Sequence, residues 1–369
     1  MMRVLITGAN GFVGKNLAIR LGEREDVEVV SFTRVHATEE LPKLIKDVDF
    51  VFHLAGVNRP TNDDDFKQGN TDLTVALCVA IEATGRTIPV IYSSSIQAEL
   101  DNPYGESKLA AEQALLDFSV RTDNPVYISR LPNVFGKWCK PNYNSAVATF
   151  CYNIAHDLPV QINDPSAVIR LVSVDDVVNR FISIMEGVIT KEAYCDVDPV
   201  YEITVGDLVE KINTFKLSRE NLITERVGSG LDRALHSTYL SYLSPKDFSY
   251  ALTKYSDERG VFVEMLKTKD SGQFSYFTTH PGITRGGHYH HTKTEKFLVI
   301  KGDALFKFRN IISDESYELK TSGDNPAVVE TVPGWTHDIT NIGSNEMLVL
   351  LWANEIFDRD FPDTYAKTL

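Results

Sequence analysis

An α/β chain built on a doubly wound parallel sheet, followed by an all-β barrel, is the fold class this sequence predicts, and three observations predict it. Apolar runs alternate with helical stretches over the first two thirds of the chain. A glycine-rich turn joins the first of those runs to the first helical stretch. From about residue 260, short apolar stretches recur at close intervals with turns between them, the pattern of antiparallel strands.

Taken in order, "RVLIT" (3–7) is a short apolar run, "GANGFVG" a glycine turn, and "KNLAIRLGERE" has helical period. Further strand candidates are "VEVVSFT" (27–33), "DFVFHLAG" (49–56), "IPVIYSSS" (88–95) and "PVYISRLP" (125–132). Strands buried on both faces read as near-continuous apolar runs, so these imply a parallel sheet covered by helices on both sides. Two of the covering stretches are "TDLTVALCVAIEAT" and "GESKLAAEQALLDFS". The pattern changes at "SYLSPKDFSYALTKY", which sets a boundary near 244–252 and expected domains at 1–243 and 252–369. Beyond it, "GVFVEMLK", "QFSYFTTH", "EKFLVIKG", "ALFKFR", "ESYELK", "AVVETVP" and "MLVLLWA" read as strands.

The 369 residues carry 51 acidic against 37 basic side chains, a net charge of −14, which argues against a nucleic-acid or anionic-membrane partner. The cysteines (Cys78, Cys139, Cys151, Cys195) are widely spaced without a CxxC, as expected of free thiols in a reducing, cytoplasmic compartment. The chain opens on a strand, not on a signal peptide, and no apolar run is long enough to span a bilayer.

Thr7, Gly8, Gly11 and Gly14 form TGxxGxxG, directly after the first strand and opening a helix. Glycine there permits a tight turn and close approach to a pyrophosphate, while the free N–H groups at the helix start face the phosphates. This is the pattern expected of a Rossmann-like dinucleotide site. An acidic residue at the end of the second strand would bind a ribose 2′-OH, whereas an arginine accommodates a 2′-phosphate. The chain has "SFTR", with Arg34, so NADPH is expected over NADH.

"NPYGESKLAAEQ" places Tyr104 and Lys108 four apart on one helix face, shortly after the serines at 93–95. A lysine one turn away is expected to lower the phenol pKa, and a serine hydroxyl to hold a carbonyl oxygen beside it. Together these groups make an acid for carbonyl reduction.

With "TGANGFVG", "FHLAG", "YSSS", "YGESK", "RLPNVFG" and "RLVSVDDVV" in this order, residues 1–240 resemble the extended short-chain dehydrogenase/reductase family. The resemblance implies Tyr104 as proton donor, Lys108 on the nicotinamide ribose, and Ser94 or Ser95 orienting the substrate. It also implies cofactor contacts at Thr7, Gly8, Gly11, Phe12, Val13, Gly14, Leu54, Ala55 and Gly56, and a nucleotide-linked sugar as substrate.

In the last third, Gly282, His288, His290, Glu295 and Gly302 fit GxxxxxHxHxxxxExxxxxxG, and Gly334, His337 and Asn341 fit GxxHxxxN. Side chains at i and i+2 of a strand point the same way, so His288 and His290 are expected inward, joined by Glu295 and His337, with His291 outward. Three imidazoles and a carboxylate suit one divalent ion such as zinc. The two motifs resemble those of cupins, which implies a jelly-roll barrel over 260–369. "RGGH" (285–288) also resembles sugar-nucleotide epimerases of cupin fold in which this histidine is the proton-abstracting base, so ligand and base both stand open for His288.

The whole chain resembles the bifunctional enzymes of capsule and O-antigen synthesis. That resemblance implies C3 epimerisation of a UDP-2-acetamido-2,6-dideoxy-4-hexulose in the cupin domain and NADPH reduction of its C4 ketone in the first. The implied product is UDP-N-acetyl-6-deoxy-L-talosamine, a precursor of N-acetyl-L-fucosamine, and a homodimer is expected because both folds commonly pair. Two rival readings use the same residues: a cupin that serves only dimerisation, and an NADP(H) sensor without chemistry.

Overall fold

The computed structural model describes every residue except 61, 63 and 188–192. It divides into two compact units, residues 1–212 with 234–243, and residues 213–233 with 244–369.

In the first unit, β1 (Met2–Thr7), β2 (Val27–Phe32), β3 (Phe50–His53), β4 (Val90–Ser95) and β5 (Val126–Leu131) form one parallel sheet in the order β2-β1-β3-β4-β5. Each strand coincides with a predicted apolar run. Alternate residues feed two cores. Val4, Ile6 and Phe52 pack with Leu17 and Leu21 of helix Phe12–Gly22 and with Phe181 of helix Val174–Met185. Leu5, Val51 and Val90 pack with Leu77 and Ile81 of helix Leu73–Glu82 and with Ala111, Leu115 and Phe118 of helix Pro103–Thr122. A fully buried Leu or Phe stabilises such a core by about 1.5–3 kcal/mol, so both faces must be covered for the sheet to persist. A second, three-stranded sheet of β6 (Asn133–Phe135), β7 (Val168–Ser173) and β8 (Tyr201–Thr204) was not foreseen from the sequence.

The second unit has two antiparallel sheets. One has the order β16-β13-β18-β11-β10-β9, with β9 at Lys254–Asp257, β10 at Gly260–Thr268, β11 at Gly272–Thr279, β13 at Glu295–Lys301, β16 at Val328–Glu330 and β18 at Met347–Ala353. The other has the order β15-β14-β17-β12-β19, with β12 at Thr284–Tyr289, β14 at Asp303–Asn310, β15 at Ser316–Ser322, β17 at Trp335–Asn341 and β19 at Tyr365–Ala366. Phe277, Phe297 and Val349 from the first share a core with Phe306, Phe308 and Ile339 from the second, so the sheets close on each other. Residues 213–233, expected with the first domain, pack in this unit instead. The Thr224 amide donates to the Lys267 carbonyl and the Lys267 amide to that of Leu222, tying the segment to the edge of β10.

Candidate active site and metal centre

In the first unit the glycine turn is shaped by what a side chain would meet. Gly8 lies at φ +70°, and a Cβ there would come within 2.7 Å of the Ala55 amide nitrogen. A Cβ on Gly14 would lie 2.2 Å from the Gly8 carbonyl oxygen. The turn therefore packs backbone on backbone against Leu54 and Ala55, and the N–H groups of Phe12, Val13 and Gly14, in the first helical turn, have no partner four residues earlier in that helix. This is a cradle that fits a pyrophosphate. Gly14→Ala is expected to cost about 1–3 kcal/mol through the backbone clash, lowering the melting temperature and weakening nicotinamide-cofactor binding. An unchanged melting temperature and cofactor affinity would mean the turn relaxes freely.

Thr7 holds the second wall of this cradle. Its Oγ1 accepts from the amides of Leu54 and Ala55, both at 3.1 Å, and lies 2.8 Å from His53 Nδ1. His53 Nε2 lies 2.8 Å from Thr74 Oγ1, whose hydroxyl donates to the Asn70 carbonyl at 2.6 Å. Thr74 having spent its proton, Nε2 must donate to it and Nδ1 must accept from Thr7. Burial, aided by the nearby Lys108 charge, pushes His53 down to about 3, which keeps the imidazole neutral for this relay. Gly56 faces Lys108, since a Cβ there would sit 3.4 Å from Nζ. Arg34 is exposed in the turn after β2.

At the C-terminal end of β4, alternation separates the serines. Ser95 Oγ accepts from the Gln97 amide at 3.1 Å, while Ser94 donates a very short bond to Glu112. Lys108 Nζ donates to the Ser93 carbonyl at 2.9 Å and lies 4.6 Å from the centre of the Tyr92 ring. Burial lowers Lys108 to about 8. The expected lowering of the phenol by Lys108 is not what the structure shows. Burial raises the Tyr104 pKa, while Lys108 Nζ is turned to the Ser93 carbonyl and the Tyr92 ring. A phenol that keeps its proton near neutral pH suits an acid.

In the second unit, His288, His290, Glu295 and His337 each offer a ligand atom, all within 4.8 Å of one another. β12 ends at Tyr289, after a bulge between Gly286 and His288, so His290 stands just past the strand, while His291 is exposed as expected. The tautomers follow from the hydrogen bonds. His290 Nδ1 is 2.6 Å from the Asp363 carbonyl and His337 Nδ1 is 3.3 Å from that of Trp335, so both donate and both Nε2 atoms carry lone pairs. These face Glu295 Oε2 at 3.3 and 3.5 Å. Burial holds His288 down to about 4. Burial would raise the Glu295 carboxyl, while the Lys293 ammonium, 3.6 Å away, draws it down. His337 Nε2 is buried with no hydrogen-bond partner, the signature of an atom shaped for a ligand other than protein. Neutral imidazoles and an ionised carboxylate are what a divalent metal requires, so the residues fit one.

Comparison with known proteins matches the NAD dependent epimerase/dehydratase family to residues 4–195, and the polysaccharide biosynthesis C-terminal domain to residues 255–365. The chain belongs to the NAD dependent epimerase/dehydratase family. It is 61% identical over 365 residues to a UDP-2-acetamido-2,6-beta-L-arabino-hexul-4-ose reductase of Pseudomonas aeruginosa, covering 99% of this chain and 98% of that one. The crystal structure of the capsular polysaccharide assembling protein CapF of Staphylococcus aureus superposes with TM-score 0.93 at 44% identity, over the whole of both chains. A UDP-glucuronic acid 4-epimerase of Bacillus cereus shares the fold over 65% of this chain and 98% of its own, with TM-score 0.56 at 18% identity. The resemblance to a reductase of capsule synthesis with an added β-rich domain is thus borne out.

Two buried polar residues of this family member, Asn70 and Glu112, went unread in the sequence. Asn70 Nδ2 donates to the Val57 carbonyl at 3.0 Å and to Ser107 Oγ at 2.9 Å, pinning the loop after β3 to the Tyr104 helix. Glu112, fully buried, is bound by Arg130 at 2.6 Å and by the Tyr194 hydroxyl at 3.1 Å besides Ser94. Glu112 stands four residues beyond Lys108 in "YGESKLAAEQ", a spacing that was visible, but its partner Arg130 is on another strand.

Proposed function

We propose that this chain reduces the C4 ketone of a UDP-2-acetamido-2,6-dideoxy-4-hexulose with NADPH, giving UDP-N-acetyl-6-deoxy-L-talosamine, after its second unit has inverted C3. The observation that supports the reduction is the placement of Tyr104 and the buried Lys108 on one helix whose Lys108 Nζ bonds the Ser93 carbonyl, next to Ser94 and Ser95. A bound nicotinamide cofactor would supply the hydride to C4. Tyr104 then protonates the alkoxide oxygen as it forms, Ser95 orients that oxygen, and Lys108 holds the nicotinamide ribose; Ser94, engaged with Glu112, takes no part.

For the epimerisation, a ketone acidifies the hydrogens on its neighbouring carbons, so a proton at C3 can be removed and returned on the other face. We assign His288, His290, Glu295 and His337 to one zinc ion, with His288 a ligand and not the free base, because its ligand atom closes the same cluster as the other three. A metal bound there would polarise the ketone oxygen as a Lewis acid. A homodimer, as the family resemblance implies, is part of the same reading. Among the described residues no helix is long and apolar enough to cross a membrane.

The reading is tested by incubating the protein with the UDP-4-keto sugar in deuterated water, with and without NADPH. Deuterium at C3 without NADPH, and a deuterated talosamine product with it, are expected; reduction without wash-in would reduce the second unit to a structural module. Arg34→Ala should narrow the preference for NADPH over NADH by about 10-fold or more, through loss of a charge-assisted contact to the 2′-phosphate. An unchanged ratio of kcat/KM values would place phosphate recognition elsewhere.

A further inference from the structure

We propose that residues 363–367 form a strap built into the metal centre, with Asp363 the positioning residue for His290. The inference rests on the reading of His288, His290, Glu295 and His337 as a metal site. His290 opens a five-residue turn between the end of β12 at Tyr289 and the start of β13 at Glu295, and that turn carries the exposed His291 and Thr292. Without other support, such a turn would present His290 in many orientations. Asp363 removes that freedom from two directions. Its carboxylate accepts from the backbone amides of His291, Thr292 and Lys293 at 3.0, 2.8 and 2.8 Å, and from the Thr292 hydroxyl at 3.0 Å. Its own carbonyl accepts from His290 Nδ1 at 2.6 Å, which fixes the tautomer that leaves Nε2 aimed at Glu295.

The rest of the strap is anchored to the strands that carry the other two histidines. β19 pairs with β12, Ala366 opposite His288 and Tyr365 opposite Tyr289. The Lys367 amide donates to the Gly287 carbonyl at 2.9 Å, and the Thr336 hydroxyl, next to His337, donates to the Lys367 carbonyl at 2.5 Å. The Tyr365 ring packs on Tyr289 at 5.5 Å and on His291 at 4.8 Å. Asp363 itself sits at φ +34°, outside the common backbone regions, a conformation that persists only when the surroundings over-determine it. Turn, imidazole and both histidine strands therefore meet at one short segment some seventy positions away in sequence. Partners of this kind fix the ring orientation and tautomer of a ligating histidine, and losing one weakens metal binding by about 10–100-fold.

The test uses the full chain, with Asp363→Ala, Asp363→Asn, and Asp360→Asn as a control in the same segment. Zn²⁺ affinity is read by competition with a chromogenic chelator, the ligand field by the visible spectrum of the Co²⁺-loaded protein, and folding by circular dichroism. Asp363→Ala keeps the main-chain carbonyl that His290 Nδ1 donates to but frees the turn that the carboxylate ties down, and is expected to bind Zn²⁺ about 10-fold more weakly with an altered Co²⁺ spectrum. Asp363→Asn, which keeps one carbonyl acceptor, should fall between it and the unaltered protein, and Asp360→Asn should match the unaltered protein. Equal affinity and spectrum in folded Asp363→Ala would overturn the proposal, as would a lower melting temperature of the metal-free protein with no change in either. Should Asp363→Ala not fold, Asp363→Asn decides by the same two readouts. If the unaltered protein holds neither Zn²⁺ nor Co²⁺, the metal reading fails first and the strap's role falls with it.

Discussion

Tyr104→Phe is expected to lower the kcat of ketone-dependent NADPH oxidation by about 10²–10⁴-fold, the range contributed by a positioned general acid. The substitution removes only the hydroxyl. The ring contact with Phe66, at 5.6 Å between centroids, and the Lys108 bond to Ser93 do not depend on it, so cofactor affinity should change little. The loss should appear in kcat and in kcat/KM alike, because the proton is needed only as the alkoxide forms. Deuterium wash-in at C3 should continue in this variant, since enolisation precedes reduction and needs no hydride. Full turnover would refute Tyr104 as the acid. Wash-in that vanishes together with reduction would move the epimerisation into the first unit.

The second large effect is expected in the β-rich unit. His290→Ala combined with His337→Ala should take bound metal from about one ion per chain to none by elemental analysis, because two of four ligands are gone. The metal-free variant should also be less stable than the unaltered metal-free protein by about 3 kcal/mol, because two buried rings are deleted and leave a cavity. That cavity lies against Glu295, 7% exposed, whose remaining close cation is Lys293 Nζ at 3.6 Å. The loss should be detected as an earlier unfolding transition of this unit alone. Wash-in at C3 should be lost with the metal while the Tyr104 site still oxidises NADPH with a substrate already of the right C3 configuration. Metal retained in the double variant would disprove the ligand assignment.

The strands of the parallel sheet were legible because a strand buried on both faces has to be apolar at nearly every position, a constraint written in consecutive residues such as "RVLIT" and "FVFH". The glycines at 11 and 14 were legible for a like reason, since the Gly8 backbone a few residues away crowds a Cβ there, whereas at Gly8 the obstacle is the distant Ala55. His288, His290, Glu295 and His337 could be read as one set because strand alternation and two short motifs place them, although the bulge at Gly286–His288 and the end of β12 at Tyr289 could not be foreseen.

What only the tertiary structure decided was the choice of partners over long separations. Ser94 and Ser95 are equivalent in "YSSS", and the choice between them came from Glu112, which Arg130 on the neighbouring strand holds in place to capture Ser94. The Tyr104 phenol is raised and not lowered because it is buried, and Lys108 Nζ turns to the Ser93 carbonyl and the Tyr92 ring, packing outcomes that helix spacing does not contain. His53 meets Thr7 across 46 positions, and Asp363 meets His290 across 73. Periodicity along a chain reports which face of an element is buried, because neighbours in sequence share that element. It cannot report which distant polar group will satisfy a buried donor, because that pairing exists only after the sheets have closed and water has been excluded.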